Sequence, residues 1–216
     1  MKTGIFFIAA IIAAAVTLGG CTGKANAGSQ AKADAASGAT ASTSKYSPGE
    51  MTNYNGIPLQ SVNSFRENSI KGVQQIDPSK YTLKVKGLVT KKLSLGYADI
   101  TNLPPVKKLV TIYCVEGWSV NVLWEGVTVK SILQKSGVPG KPKTLILRAA
   151  DGYSTSLPLH EVLGKDMILA YKANGLELPA KLGFPLILVA EDKWGYKWAR
   201  WITELELSDN TNYKGY

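Results

Sequence analysis

The sequence predicts an α+β domain in which short strands outnumber short helices. Runs rich in β-branched and aromatic residues recur between positions 81 and 207, several alternating apolar with polar residues as half-buried strands do. Only two stretches carry helical spacing, and both are brief. Strand and helix patterns do not alternate regularly, which disfavours a doubly wound parallel sheet.

Taken in order, residues 1–20 (MKTGIFFIAAIIAAAVTLGG) combine one positive charge, a long apolar run and small residues before Cys21. This is the layout of a secretory signal. Leu18-Gly19-Gly20-Cys21 resembles a lipobox, which makes Cys21 the expected lipidation site of a lipoprotein; the alternative is an uncleaved membrane-anchor helix, and either reading expects an extracytoplasmic, membrane-tethered chain. Residues 21–50 are dominated by Ala, Ser, Gly and Thr and hold no large aliphatic side chain. Such a segment buries too little apolar surface to offset its ordering entropy, so it reads as a flexible tether. Residues 51–216 then form one domain, long enough for a sizeable core.

Within that domain the alternation of Tyr81–Val89 predicts a strand, and Lys108–Cys114 a second. Val127–Gly137 reads as a short helix with Val127, Ile132 and Leu133 inward and Gly137 as its stop. Thr144–Arg148 is a strand before an Asp151-Gly152 turn. Leu157–Gly164 reads as one or two helical turns. Met167–Lys172 is a strand closed by Asn174-Gly175, and Phe184–Ala190 and Trp198–Leu207 are two more.

The chain has two cysteines, one histidine and a net charge of +9. A cluster of His and Cys ligands is thereby excluded, and no phosphate loop or G-x-S-x-G elbow occurs. The basic balance suits an anionic lipid, polymer or phosphate-bearing ligand; no nucleic-acid-binding motif accompanies it. With Cys21 lipidated, Cys114 lacks an intramolecular partner. Burial, metal ligation and redox sensing through a mixed disulfide all remain open for it. His160 reads as a structural or surface residue.

Five stretches, in this order, carry a family resemblance: NSFRE (63–67), YCVEGWS (113–119) leading into WEGV (124–127), DGYSTSLPL (151–159), ANGLELPAKLGFPLIL (173–188) and KWGYKWARWITELEL (193–207). Together they resemble the molybdopterin-binding domain of the sulfite oxidase family, including its methionine-sulfoxide-reductase branch. The resemblance implies a sulfite oxidase-type fold of mixed sheets with short helices, and a molybdenum–molybdopterin cofactor. It implies Cys114 as the molybdenum ligand, where a soft thiolate completes a sulfur-rich set. Asn63, Arg66 and Glu67 match the segment that contacts the pterin. Arg200 matches a basic residue facing the cofactor's phosphate, with Lys193 and Lys197 flanking it. Glu116 is the expected proton relay beside the metal, and Trp118 and Trp124 are wall or core aromatics. Arg148 is a candidate contact for an anionic substrate, with no motif placing it.

Two departures accompany the resemblance. Leu182 and Ile187 stand where polar phosphate contacts are expected, and the leader has no Arg-Arg pair. The function implied is extracytoplasmic two-electron oxygen-atom transfer on a small S-oxide or sulfur oxyanion, with electrons exchanged with a separate haem- or quinone-linked partner. The alternative is a metal-free domain of the same fold that binds an anionic ligand or a protein at the cell surface.

Overall fold

A computed structural model describes residues 45–215; the signal segment, Cys21 and the tether up to residue 44 lie outside the described residues. A small hairpin, β1 (Asn53–Tyr54) and β2 (Ile57–Pro58), precedes two larger sheets. One sheet has the order β10-β9-β6-β5, with β11 also paired to β9. It is built from β5 (Val106–Tyr113), β6 (Ser119–Thr128), β9 (Ile168–Ala173), β10 (Leu176–Glu177) and β11 (Ile187–Val189). The second has the order β4-β3-β12-β7-β8, from β3 (Thr82–Gly87), β4 (Leu93–Gly96), β7 (Thr144–Ala149), β8 (Ser154–Pro158) and β12 (Ile202–Ser208). Mixed sheets with few short helices are the α+β architecture expected.

Both sheets contribute to one apolar core. Leu83 and Val85 of β3, Val122 and Trp124 of β6, Leu145 and Leu147 of β7 and Leu205 of β12 are all buried. Their period of two puts each set on one face of its strand. A fully buried aliphatic side chain of this kind contributes about 1.5–3 kcal/mol. Trp124 is completely buried, and its indole N–H donates to the Val110 carbonyl at 3.1 Å, so its polar atom is satisfied inside the core.

Helix α1 (Tyr97–Thr101) is a single turn after β4. Helix α2 (Val129–Ser136) starts where Thr128 Oγ1 accepts the Ser131 N–H at 3.1 Å and stops at Gly137, whose φ is 63°. Helix α3 (Leu159–Gly164) follows β8 directly.

The differences from expectation are local. Val127 is buried as foreseen but lies next to the end of β6 instead of opening α2, because its backbone pairs with Leu169. Leu157 and Pro158 likewise belong to β8. Phe184–Ala190 shortens to Ile187–Val189, and Trp198–Trp201 precedes β12 as a loop, with Trp201 in the left-handed region at φ 50°. The longest strand among the described residues, β6, is one the sequence pattern does not predict. Glu50, at the end of the expected tether, is buried: its carboxylate accepts from Val62 N at 2.6 Å and Asn174 Nδ2 at 2.9 Å. This clamp fixes the approach of residues 61–68 to the larger part of the domain.

Candidate active site

β5 and β6 form an antiparallel ladder from Val106↔Gly126 to Tyr113↔Ser119. The turn that joins them carries Cys114. Its N–H donates to the Trp118 carbonyl at 2.9 Å, and its own carbonyl accepts from Gly117 N at 3.0 Å. Gly117 has a φ of 82°, a conformation that glycine adopts without steric cost. The turn is therefore closed at both ends, and the thiol projects inward from a strand terminus at 5% exposure.

Cys114 lies against a small cavity of about 40 Å³ bordered by Phe65, Arg66, Trp118, Leu182, Ile187 and Arg200. A larger cavity of about 150 Å³ adjoins it, bordered by Ile70, Asp151, Tyr153 and Tyr196. Asn68, Gly195, Trp198 and Arg200 border both. Gly195 packs against the Cys114 turn: a Cβ there would make ordinary contacts, 3.4 Å from the Tyr113 carbonyl oxygen and 3.6 Å from Cys114 Cα. Phe65 meets Trp118 and Trp124 edge-on, with centroids 5.9 and 6.0 Å apart. Trp118 thus walls the cavity, whereas Trp124 is core.

Arg200 joins the two cavities. Its guanidinium lies over Trp201 at 4.5 Å and donates to the Lys181 carbonyl and to Asn68 Oδ1, each at 3.0 Å. It also pairs with the Glu67 carboxylate at 3.2 Å. Gly183, with φ 112°, lies directly behind: a Cβ there would fall 2.8 Å from Arg200 Cβ. Burial lowers the Arg200 pKa, while Glu67 and Asp151 work in the opposite direction. Burial pushes against the Glu67 charge, yet hydrogen bonds from Ser69 and the charge of Arg200 hold its carboxyl below the usual range.

The other sequence-derived candidates divide. Arg66 borders the Cys114 cavity and is exposed. Asn63 faces elsewhere: its amide donates to Ser47 Oγ at 3.1 Å and its carbonyl accepts from Lys181 Nζ at 3.1 Å. Lys193 pairs with Glu161 at 2.5 Å, and Lys197 donates to the Ser156 carbonyl at 3.0 Å. Both border a separate groove with Trp194 and Tyr196. Burial, and then the neighbouring Lys193, lower the Lys197 pKa. Glu116 is exposed on the turn and accepts the Trp118 indole N–H.

Arg148 is not brought to this site. It lies on β7 in the other sheet, where Glu204, Glu206 and Tyr213 take up its guanidinium at 3.0–3.1 Å. These partners leave it unsuited to an anionic substrate beside Cys114. Leu182 and Ile187 do border the cavity, and both are buried apolar walls. His160 is exposed on α3. Asn68, Asp151 and Tyr153 went unrecognised as site residues. Asn68 directly follows the NSFRE stretch, and Asp151 and Tyr153 lie in the DGYSTSLPL stretch, whose only local signal is the Asp151-Gly152 turn.

Known proteins resemble this chain in sequence and in fold. A family model described as the oxidoreductase molybdopterin binding domain matches residues 70–216. The uncharacterized oxidoreductase YuiH of Bacillus subtilis (strain 168) is 34% identical over 141 residues, covering 65% of this chain and 71% of YuiH. The protein-methionine-sulfoxide reductase catalytic subunit MsrP of Gluconobacter oxydans (strain 621H) is 27% identical, with 63% of this chain and 50% of MsrP covered. Among solved structures, the sulfane dehydrogenase SoxCD from Paracoccus pantotrophus superposes with a TM-score of 0.64 at 25% identity. That match covers 67% of this chain and 42% of the SoxCD chain. The chain thus spans most of YuiH and about half of the MsrP subunit.

Proposed function

The chain belongs to the oxidoreductase molybdopterin-binding domain family, and from that premise we propose an extracytoplasmic enzyme, lipid-anchored through Cys21, for two-electron oxygen-atom transfer. Its substrate is a small S-oxide or sulfur oxyanion, and Cys114 is its molybdenum ligand. Family membership makes it a sulfite oxidase-like molybdopterin oxidoreductase, related to a methionine-sulfoxide reductase and to a sulfane dehydrogenase. The observation that carries the finer reading is the buried thiol of Cys114 against a cavity that Arg66 and Arg200 also border.

The donor set suits the cofactor. A thiolate coordinates a soft metal without a histidine base, because coordination itself removes the proton. Arg200, desolvated and planar, suits bidentate pairing with a phosphate, and Arg66 adds a second positive charge. When bound, molybdenum on its dithiolene supplies the two-electron couple.

Each residue then has a task of its own. Cys114 would hold the metal from the turn that follows β5. Phe65 and Trp118 exclude water from the thiol. Glu116 takes up or returns a proton at its carboxylate while orienting the Trp118 indole. Electrons pass to or from a separate haem- or quinone-linked partner at the membrane; that MsrP carries the name of a catalytic subunit supports such a division of labour.

The apolar Leu182 and Ile187 favour a second reading, a metal-free binding module for an anionic ligand or a protein partner. One experiment separates the two: molybdenum analysis of protein purified from its native host, beside Cys114→Ser. The enzyme reading expects near-stoichiometric metal that is lost in the variant. A folded protein without molybdenum in either form would overturn it and leave the binding module.

A further inference from the structure

Residues 65–71 lie along both cavities: Phe65 and Arg66 border the one beside Cys114, Ser69 and Ile70 the other, and Asn68 borders both. No regular element includes this stretch. It is held down where its Glu67 carboxylate and Asn68 side-chain oxygen receive two nitrogens of the Arg200 guanidinium, across more than 130 positions of sequence. The partner that the preceding reading gives Arg200, a phosphate, uses the same donors. A pocket that takes a ligand of cofactor size has a volume of roughly 300–1,000 Å³, well above the cavities of about 150 and 40 Å³ found here.

We propose that residues 65–71 are a gate over the cofactor cleft, latched by Glu67 acting as an internal stand-in for the cofactor's phosphate. Glu67 is then a competitor of the anion and not one of its ligands. An incoming phosphate takes over the N–H donors of Arg200, the carboxylate is released to water, and the strap lifts to enlarge the cleft. Arg200 stays paired in both states, so its charge is never left uncompensated in a partly buried place. Segments that gate ligand entry are drawn from the weakly held parts of a fold. Glu67 and Asn68 are exposed, and their bonds to Arg200 are side-chain contacts without a backbone ladder.

This inference rests on Arg200 being the phosphate contact, and the test separates that premise from the gate. Metal-free full-length protein is titrated with inorganic phosphate, followed by the fluorescence of Trp201 beneath Arg200 and by trypsin cleavage at Arg66 and Lys71. Wild type, Glu67→Gln and, as a second latch variant, Asn68→Ala are compared. The gate expects phosphate to accelerate cleavage in the wild type and both variants to be cleaved fast without it. Glu67→Gln is expected to bind phosphate about tenfold more tightly, the worth of one hydrogen bond to a charged group. Phosphate binding with unchanged cleavage and equal affinities in all three proteins would overturn the gate and leave the anion site standing. Fast cleavage of the variants without phosphate binding in any protein would keep the latch and remove the phosphate from it, overturning the stand-in role.

Discussion

The indole N–H of Trp118 donates to the carboxylate of Glu116 at 3.1 Å across the turn that begins with Cys114. A wall of the cavity is thereby tied to the one carboxylate on that turn. Replacing Glu116 with Gln keeps an acceptor for the indole and removes the charge. Stability is expected to stay within about 0.5 kcal/mol of wild type, as at most exposed positions. Turnover of the molybdenum-loaded enzyme is expected to fall about 10²-fold or more, the typical share of a general acid–base group. Chemical denaturation and a pH–rate profile check the two halves; an unchanged profile would reduce Glu116 to an anchor for Trp118.

Trp124 illustrates the contrasting case. It is wholly buried, packs against Trp198 with centroids 5.6 Å apart, and satisfies its N–H on Val110. Trp124→Ala should cost about 3–5 kcal/mol, read from urea denaturation midpoints. Trp124→Phe, which retains most of the volume, should cost distinctly less.

Arg148→Ala should leave molybdenum content, kcat and KM unchanged, since the guanidinium serves Glu204 and Glu206 on the other sheet. Half-exposed ion pairs of this type contribute about 0–1 kcal/mol. A small loss of stability, diminishing at high salt, is the expected signature. A raised KM for an anionic substrate would show that Arg148 reaches the site after all.

The latch has a pH dependence of defined sign. The folded-state pKa of Glu67 is lowered, chiefly by Ser69 and Arg200 acting against burial. Its contribution is therefore complete above the unfolded carboxylate pKa and disappears as pH falls through the lower folded value. Carbon-detected NMR of the Glu67 carboxyl between about pH 6 and pH 2 should show one titration step below the ordinary carboxylate range. The step should move back up in Arg200→Gln.

Much of the fold was visible in alternation. β3, β5, β7 and β9 lie where apolar and β-branched runs put them, because each buries at least one face and that burial determines the pattern. β6 escaped notice because Val122, Leu123 and Trp124 are buried in succession, which erases the period of two. Trp198–Trp201 looked like the start of a strand because all but Arg200 are apolar, but Trp198 and Arg200 line the cavities and the chain turns at Trp201. Cys114 and Arg200, which the family pattern singles out from stretches far apart in sequence, border one cavity. The neighbours of Lys193, Lys197 and Arg148 were not legible in the sequence, since their partners Glu161, Ser156 and Glu204 lie 32 to 56 positions away and only the folded sheets bring them close.

The parallel pairing of β12 with β3, together with its antiparallel pairing with β7, has a consequence for the order of assembly. β12 is the innermost member of its sheet, yet it leaves the ribosome after every strand it must join. β3 waits more than a hundred residues for the neighbour that completes its ladder, a long-range closure of the kind that slows folding. Arg200 and Trp201 immediately precede β12, so the anchor of the cleft is set as the sheet closes. A nascent chain halted before position 202 would carry Cys114 on a finished β5–β6 hairpin and have no completed site to offer it.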